Sequence, residues 1–131
     1  MWNFKCYEAP NGKKEVQSTF DSGSDELKAN CLLAVEYLRV RQKQEWTNPR
    51  NYAAKLTAGE GYRDFYEIRF KADKVMQRPI GYFGPGVNEF TILIWATEKG
   101  GKILPEGWRK KAERLRLQIE GKTANAKPFK L

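Results

Sequence analysis

The 131-residue chain contains no histidine. That removes the side chain that most often acts as a general base near neutral pH, and the commonest ligand of catalytic zinc. A Ser-His nucleophile pair is excluded with it. Cysteine is nearly absent: Cys6 and Cys31 stand far apart with no C-x-x-C spacing, so reduced, buried thiols are expected rather than a disulfide or a metal site. No run approaches the ~20 apolar residues of a membrane span. The opening stretch from Met1 to Glu15 lacks the apolar segment of a signal peptide, which makes the cytoplasm the expected compartment. No phosphate-binding G-x-x-x-x-G-K-[ST] loop occurs, and Gly59-Glu60-Gly61 reads as a plain loop. No cofactor, metal, membrane or small-molecule substrate is expected.

What is present is aromatic and basic. Four tryptophans, six tyrosines and seven phenylalanines in a chain that is 40% hydrophobic argue for a packed core and against disorder. One domain over residues 1–121 is expected, followed by a basic, flexible tail at 122–131. The charge is uneven. Residues 1–45 hold seven basic and seven acidic side chains, while residues 46–131 hold 17 basic and nine acidic, the whole of the +8 net charge. An excess confined to one part of the chain points to a polyanion, with nucleic acid first.

The pattern predicts an α+β fold: an antiparallel sheet made of an N-terminal strand and a three-stranded meander, with helices packed on one face. Trp2 to Tyr7 alternates like a strand and is ended by Ala9-Pro10-Asn11-Gly12. Lys13 to Phe20 suits a short helix. Ser24, followed by Asp25 and Glu26, is an N-cap signal for a helix running to about Gln44, with Leu27, Cys31, Ala34, Val35 and Leu38 on one stripe. Asn48-Pro49 breaks the chain, and Tyr52 to Leu56 suits a single helical turn. Tyr66, Ile68 and Phe70 alternate with Glu67, Arg69 and Lys71. A polar turn at Lys71 to Lys74 leads to a second strand, Val75 to Phe83, in which Pro79 and Gly81 predict a bulge or an edge position. Gly84-Pro85-Gly86 reverses the chain into Phe90 to Trp95, apolar at nearly every position, as a strand covered on both faces should be. Lys99-Gly100-Gly101-Lys102 reads as a flexible basic loop. A terminal helix is expected over Glu106–Glu120, with Trp108, Ala112, Leu115 and Ile119 facing the core. Burial is expected at Leu27, Leu38, Ile68, Phe70, Ile92, Ile94, Trp108 and Leu115.

Several short segments resemble the RelE/ParE toxin superfamily, in particular its HigB-like, phage-derived branch. Met1-Trp2 opens the first strand. Lys55-Leu56, then Gly61 and Tyr66-Glu67-Ile68-Arg69, is similar to that branch's K-L…G-x-Y-E-[IL]-R segment. Arg78 followed by Tyr82-Phe83 is similar to its Y-R-V-x-Y strand. Ile92-Leu93-Ile94, Lys99, Lys102 and Pro105 are similar to its L-L-H-G-F-x-K-K-x-x-K-T-P segment. The chain departs from the pattern at Trp95, where histidine is frequent, and at Gly100, where a second lysine is usual.

The resemblance implies a ribosome-dependent mRNA endonuclease, the toxin of a toxin–antitoxin pair, with mRNA on the ribosome and a small antitoxin protein as partners. Cleavage requires activation of a ribose 2′-hydroxyl, neutralisation of charge on phosphorus and protonation of the leaving oxygen. Arg78 is the expected phosphate clamp, because guanidinium grips two oxygens at once. Arg69, Lys71 and Lys99 complete the catalytic set. Lys102, Tyr82, Arg109 and Lys110 are expected to hold RNA. A lysine crowded by arginines gives up its proton more readily, so Lys71 and Lys99 are candidates for the base. Glu67 is either a base or a structural partner of the arginines, and Tyr66 and Tyr82 either stack on bases or pack in the core. Two other readings stay open: a non-catalytic nucleic-acid- or protein-binding module of the same fold, and a ParE-like gyrase inhibitor.

Overall fold

The computed structural model describes residues 1–47, 51–56 and 64–131; the Asn48-Pro49 break and the Gly59-Glu60-Gly61 loop lie outside the described residues. In chain order the elements are β1 (Asn3–Glu8), α1 (Glu15–Asp21), α2 (Asp25–Arg39), a 3-10 turn at Lys43–Glu45, β2 (Ala53–Leu56), β3 (Phe65–Ile68), β4 (Phe70–Ala72), β5 (Val75–Phe83), β6 (Glu89–Lys99), β7 (Lys102–Leu104), α3 (Trp108–Glu120) and β8 (Asn125–Pro128). No described helix is long and apolar enough to cross a membrane.

The fold is mixed α/β, built on one open sheet ordered β2-β3-β5-β6-β1-β8, with β4 also on β5 and β7 also on β6. The expected meander is there as β3/β4, β5 and β6. The expectation of a wholly antiparallel sheet needs correction, because β1 lies parallel to β6, with Phe4 opposite Phe90 and Cys6 opposite Ile92. Parallel neighbours need a long crossover, and α1, α2 and the meander supply it.

A second correction concerns the layers: helices cover both faces, not one. Alternate residues of the same strands feed two separate cores. Cys6, Ile68, Phe90 and Ile92 pack with Val16 and Phe20 of α1 and with Leu27, Cys31, Ala34, Val35 and Leu38 of α2. Tyr7, Phe65, Ile80, Leu93 and Ile94 pack with Ala112, Leu115 and Ile119 of α3. Each fully buried side chain of this size contributes roughly 1.5–3 kcal/mol. The α2 stripe is the one its 3.6-residue period predicts, and Ser24 caps it, its Oγ accepting from the Leu27 N–H at 3.0 Å. The helix stops at Arg39, short of Gln44. Of the eight side chains expected inside, seven are buried. Trp108, at the first position of α3, is half-buried and edge-on to Phe65.

β5 is central, not an edge, and its awkward residues have separate reasons. The register slips at Ile80/Gly81, so that Ile80 faces Ile94 while Gly81 faces Ile92. The extra residue is Leu93 on β6, and it flips the phase: Leu93 and Ile94 both enter the α3-side core, and Trp95 returns to the α2 side. A Cβ on Gly81 would lie 2.2 Å from the Thr91 carbonyl oxygen, so the bulge leaves room for glycine alone. Pro79 lacks an N–H, but it sits where the neighbouring ladder is interrupted between β3 and β4; there the Arg69 N–H turns to the Tyr52 carbonyl at 2.7 Å.

Three other expectations are corrected. Tyr52 to Leu56 is not a helical turn; its last four residues are β2, paired antiparallel with β3. Lys99 to Lys102 is a tight hairpin, not a loose loop: Gly100 and Gly101 hold φ of 58° and 79°, and Lys99 pairs directly with Lys102. The segment 122–131 is not a free tail. β8 adds to β1, the Phe129 ring packs 5.4 Å from Phe20, and the buried Gln17 amide brackets Lys130 by accepting from its N–H at 2.8 Å and donating to its carbonyl at 2.7 Å.

Candidate nucleic-acid interface

Two hairpins place four exposed lysines at one end of the sheet. The β4–β5 turn is Asp73-Lys74, with φ of 54° and 65° at both central residues, which is the geometry that suits the twist of antiparallel neighbours. Glu26 accepts the Asp73 N–H at 2.5 Å and the Ser24 hydroxyl donates to the Asp73 carboxylate at 2.7 Å, so α2 pins this turn. Because Met76 faces both Lys71 and Glu98, the β4–β5 and β6–β7 turns share one end. Lys71, Lys74, Lys99 and Lys102 are all exposed there. From β4 to β7 the four strands span about 14 Å at ~4.8 Å per strand. Among the described residues none of these lysines has a carboxylate within ion-pair distance.

Arg69 and Lys71 share a cleft of about 380 Å³ beside β4, floored by Phe70 and Met76 and bounded by Asn30 and Leu33 of α2 and by Tyr52. Asn30 donates its amide to the Lys71 carbonyl at 2.9 Å and so fixes the edge of β4 against α2. Arg69 is half-buried, its Nε 3.6 Å from Glu67. This is the pair of expected site residues that the fold brings together, along with Lys99 and Lys102 across their hairpin.

Arg78 is placed elsewhere, and the clamp assignment is corrected. It is 9% exposed and its guanidinium is taken by two carboxylates, Glu67 at 2.6 Å and Glu98. Glu67 is fully buried, so it has no access to a substrate proton and serves as the structural partner. Glu67 Oε2 and Arg78 Nε are left without hydrogen-bond partners among the described residues. The reason is register: Arg78 stands opposite Ala96, on the face where Ile80, Ile94 and Ala96 meet α3, so its charge must be matched internally.

Tyr82 is likewise corrected: at 5% exposure it packs in the α3-side core and has no free face for a base. Tyr66 is half-buried, edge-on to Phe83 at 4.9 Å, and burial pushes its hydroxyl pKa up, against the opposing pull of Lys55. Arg109 stacks on Trp108, 4.7 Å from the ring centroid. Lys110 lies on the outer side of α3. The two thiols are buried and unpaired, with burial raising Cys6 to about 11 and Cys31 to about 12. Among the described residues no cluster of three acidic or cysteine side chains is placed to hold a metal. The sequence reading missed Lys74 as a site residue, although its place in a polar turn was the available signal. It also missed Glu98, whose pairing with Arg78 depends on strand register and leaves no mark in the sequence.

Compared with known proteins, the chain matches no family model, no curated protein and no solved structure.

Proposed function

We propose that this protein acts on RNA, as a toxin of the RelE/ParE type and its HigB-like branch, engaging mRNA on the ribosome through the cationic end of its sheet. The observation that carries the reading is the set of four exposed lysines, Lys71, Lys74, Lys99 and Lys102, next to the Arg69 cleft and with no carboxylate in ion-pair distance among the described residues. Phosphate contacts of this kind supply most of non-specific RNA affinity. The short motifs that resemble that family are the second support for the reading. In this reading Arg69 and Lys71 hold the scissile phosphate, and Lys99 and Lys102 hold its neighbour. The 2′-oxygen attacks phosphorus, the bond to the 5′-oxygen breaks, and a 2′,3′-cyclic phosphate and a 5′-hydroxyl result. Lys71 or Lys99 is the candidate acceptor of the 2′-proton, and another of the lysines is the candidate donor to the leaving oxygen.

A second reading is favoured by one specific observation. With Arg78 engaged by Glu67 and Glu98 and no histidine in the chain, the same surface suits an RNA-binding module that does not cut. Inducing the protein in bacteria and mapping new mRNA 5′ ends separates the two, because cleavage on translating ribosomes belongs to the first alone. RNA binding by either form should weaken by about 10³-fold between 50 and 200 mM salt for ~6 phosphate contacts. Salt-insensitive binding with no new 5′ ends would refute both, and inhibition of DNA supercoiling would move the target to gyrase. A small helix-turn-helix protein in the neighbouring reading frame would support the toxin pair.

A further inference from the structure

The outer side of α3 carries a groove that the mechanism above does not use, although its lining includes Lys110, one of the side chains expected from the sequence to hold RNA. It holds about 510 Å³ and runs beside Lys110, Arg114 and Leu117, one helix face at i, i+4 and i+7, to the turn at Gly121 and Thr123. The inner face of the same helix is spent on the core through Ala112, Leu115 and Ile119. Leu117 is 54% exposed, an aliphatic side chain at the centre of the groove. Several polar groups around it are already engaged. Gln118 accepts the Tyr7 hydroxyl, and its carbonyl takes the Thr123 N–H at 2.9 Å and the Thr123 hydroxyl at 3.2 Å. Glu113 and Glu120 are both engaged by the buried Arg116. That leaves Lys110 and Arg114 with no carboxylate in ion-pair distance among the described residues.

Two features of the groove are thus left open, the uncovered Leu117 and the cations Lys110 and Arg114, while Glu113 in its lining is spent on Arg116. We infer that the outer face of α3 is a docking surface for an acidic amphipathic peptide segment, which sets one bulky apolar residue on Leu117 and carboxylates against Lys110 and Arg114. Charge complementarity selects this occupant. RNA would meet the two cations but waste the aliphatic centre, where Leu117 offers no group with which to read a base. A helical segment meets both needs at once, since its own i, i+4, i+7 face matches the spacing on α3.

The test uses the full-length protein and a fluorescent 16-residue helical peptide with leucines at i, i+4 and i+7 of one face, flanked by glutamates. Binding is read by anisotropy. Saturable binding is expected, weakened about tenfold or more by Leu117→Ser, the scale of losing one buried anchor. Lys110→Ala and Arg114→Ala should each weaken it several-fold, most at low salt, while Lys71→Ala and Lys99→Ala leave it unchanged. Leu117 is exposed, so the melting temperature of Leu117→Ser should match wild type and keep the comparison clean. No binding at millimolar peptide would overturn the inference, as would binding indifferent to Leu117→Ser. Single-stranded RNA that loses affinity for Lys110→Ala and Arg114→Ala but not for Leu117→Ser would overturn it too, by giving the face to RNA.

Discussion

Arg78→Ala leaves the Glu67 carboxylate fully buried, with the Arg69 Nε at 3.6 Å as its remaining cation among the described residues. Glu98, a third exposed, falls back on water. Removing one partner of a buried pair costs about 3–5 kcal/mol, because the charge left behind is uncompensated. For a chain of this length, with an unfolding entropy of ~2.1 cal/mol/K per residue, that is a fall of roughly 10–20 °C in Tm. Arg78→Lys should recover part of it, since one ammonium reaches one carboxylate but not both. The double variant Glu67→Leu/Arg78→Met should lie above Arg78→Ala, because well-packed apolar side chains often replace a buried ion pair without loss. The network here is only partly satisfied, with Glu67 Oε2 and Arg78 Nε unbonded, which strengthens that expectation. Thermal melts of the four proteins, each with RNA affinity measured below its transition, make the assay. An Arg78→Ala protein that melts with wild type and loses RNA binding or cleavage would refute the buried-pair assignment and restore the clamp.

Other expectations follow from single contacts. Gly81→Ala should cost about 3 kcal/mol or abolish folding, because its Cβ meets backbone, the Thr91 carbonyl at 2.2 Å, which cannot swing away as a side chain would; a melting temperature within a degree or two of wild type would contradict the bulge geometry. Phe129→Ala should cost about 3–5 kcal/mol by emptying its place against Phe20, whereas a mobile tail would make the change silent in urea titration. Alkali should destabilise the fold through its thiols. In the unfolded chain both ionise near 9.0, but in the fold Cys6 stays protonated to about 11 and Cys31 to about 12. Their stabilisation is complete below pH 9 and is lost as the pH climbs toward 11, at about 1.4 kcal/mol per pH unit for each thiol. A Cys31→Ala variant should show a shallower decline between pH 8.5 and 10.5, and identical slopes would count against thiol burial.

Legibility in the sequence followed the physics of each element. α2 was readable because fifteen residues give four turns of a 3.6 period, and Ser24 marks its start. The apolar run of β6 announced cover on both faces, but nothing in it said that α3 and the α1–α2 pair would divide them. Strand direction is silent in sequence, so the parallel seating of β1 against β6 could not be read. β2 spans four residues, Ala-Ala-Lys-Leu, too few to show a period and mixed in propensity. β8, Asn-Ala-Lys-Pro, is a polar edge strand, and Phe129 was the one apolar hint that the chain returns to the core. For the site, local charge was legible and pairing was not. The hairpin lysines and Arg69 follow from turn position and alternation, whereas the Arg78–Glu98 contact joins residues twenty positions apart that register alone brings face to face.

The partnership of β1 with β8 has a mechanical side. Because Lys5 sits opposite Pro128 and Glu8 opposite Asn125, Met1 and Leu131 lie near the same end of one edge of the sheet. Tension applied between them loads the β1–β8 ladder from its open end and breaks its hydrogen bonds one after another, as a zipper parts, instead of all together as in shear. The Gln17 bracket on Lys130 and the Phe129 ring are the first contacts in the line of force. A molecular motor pulling on the C-terminal end should therefore strip β8 at low force, after which β1 becomes the exposed margin of the sheet.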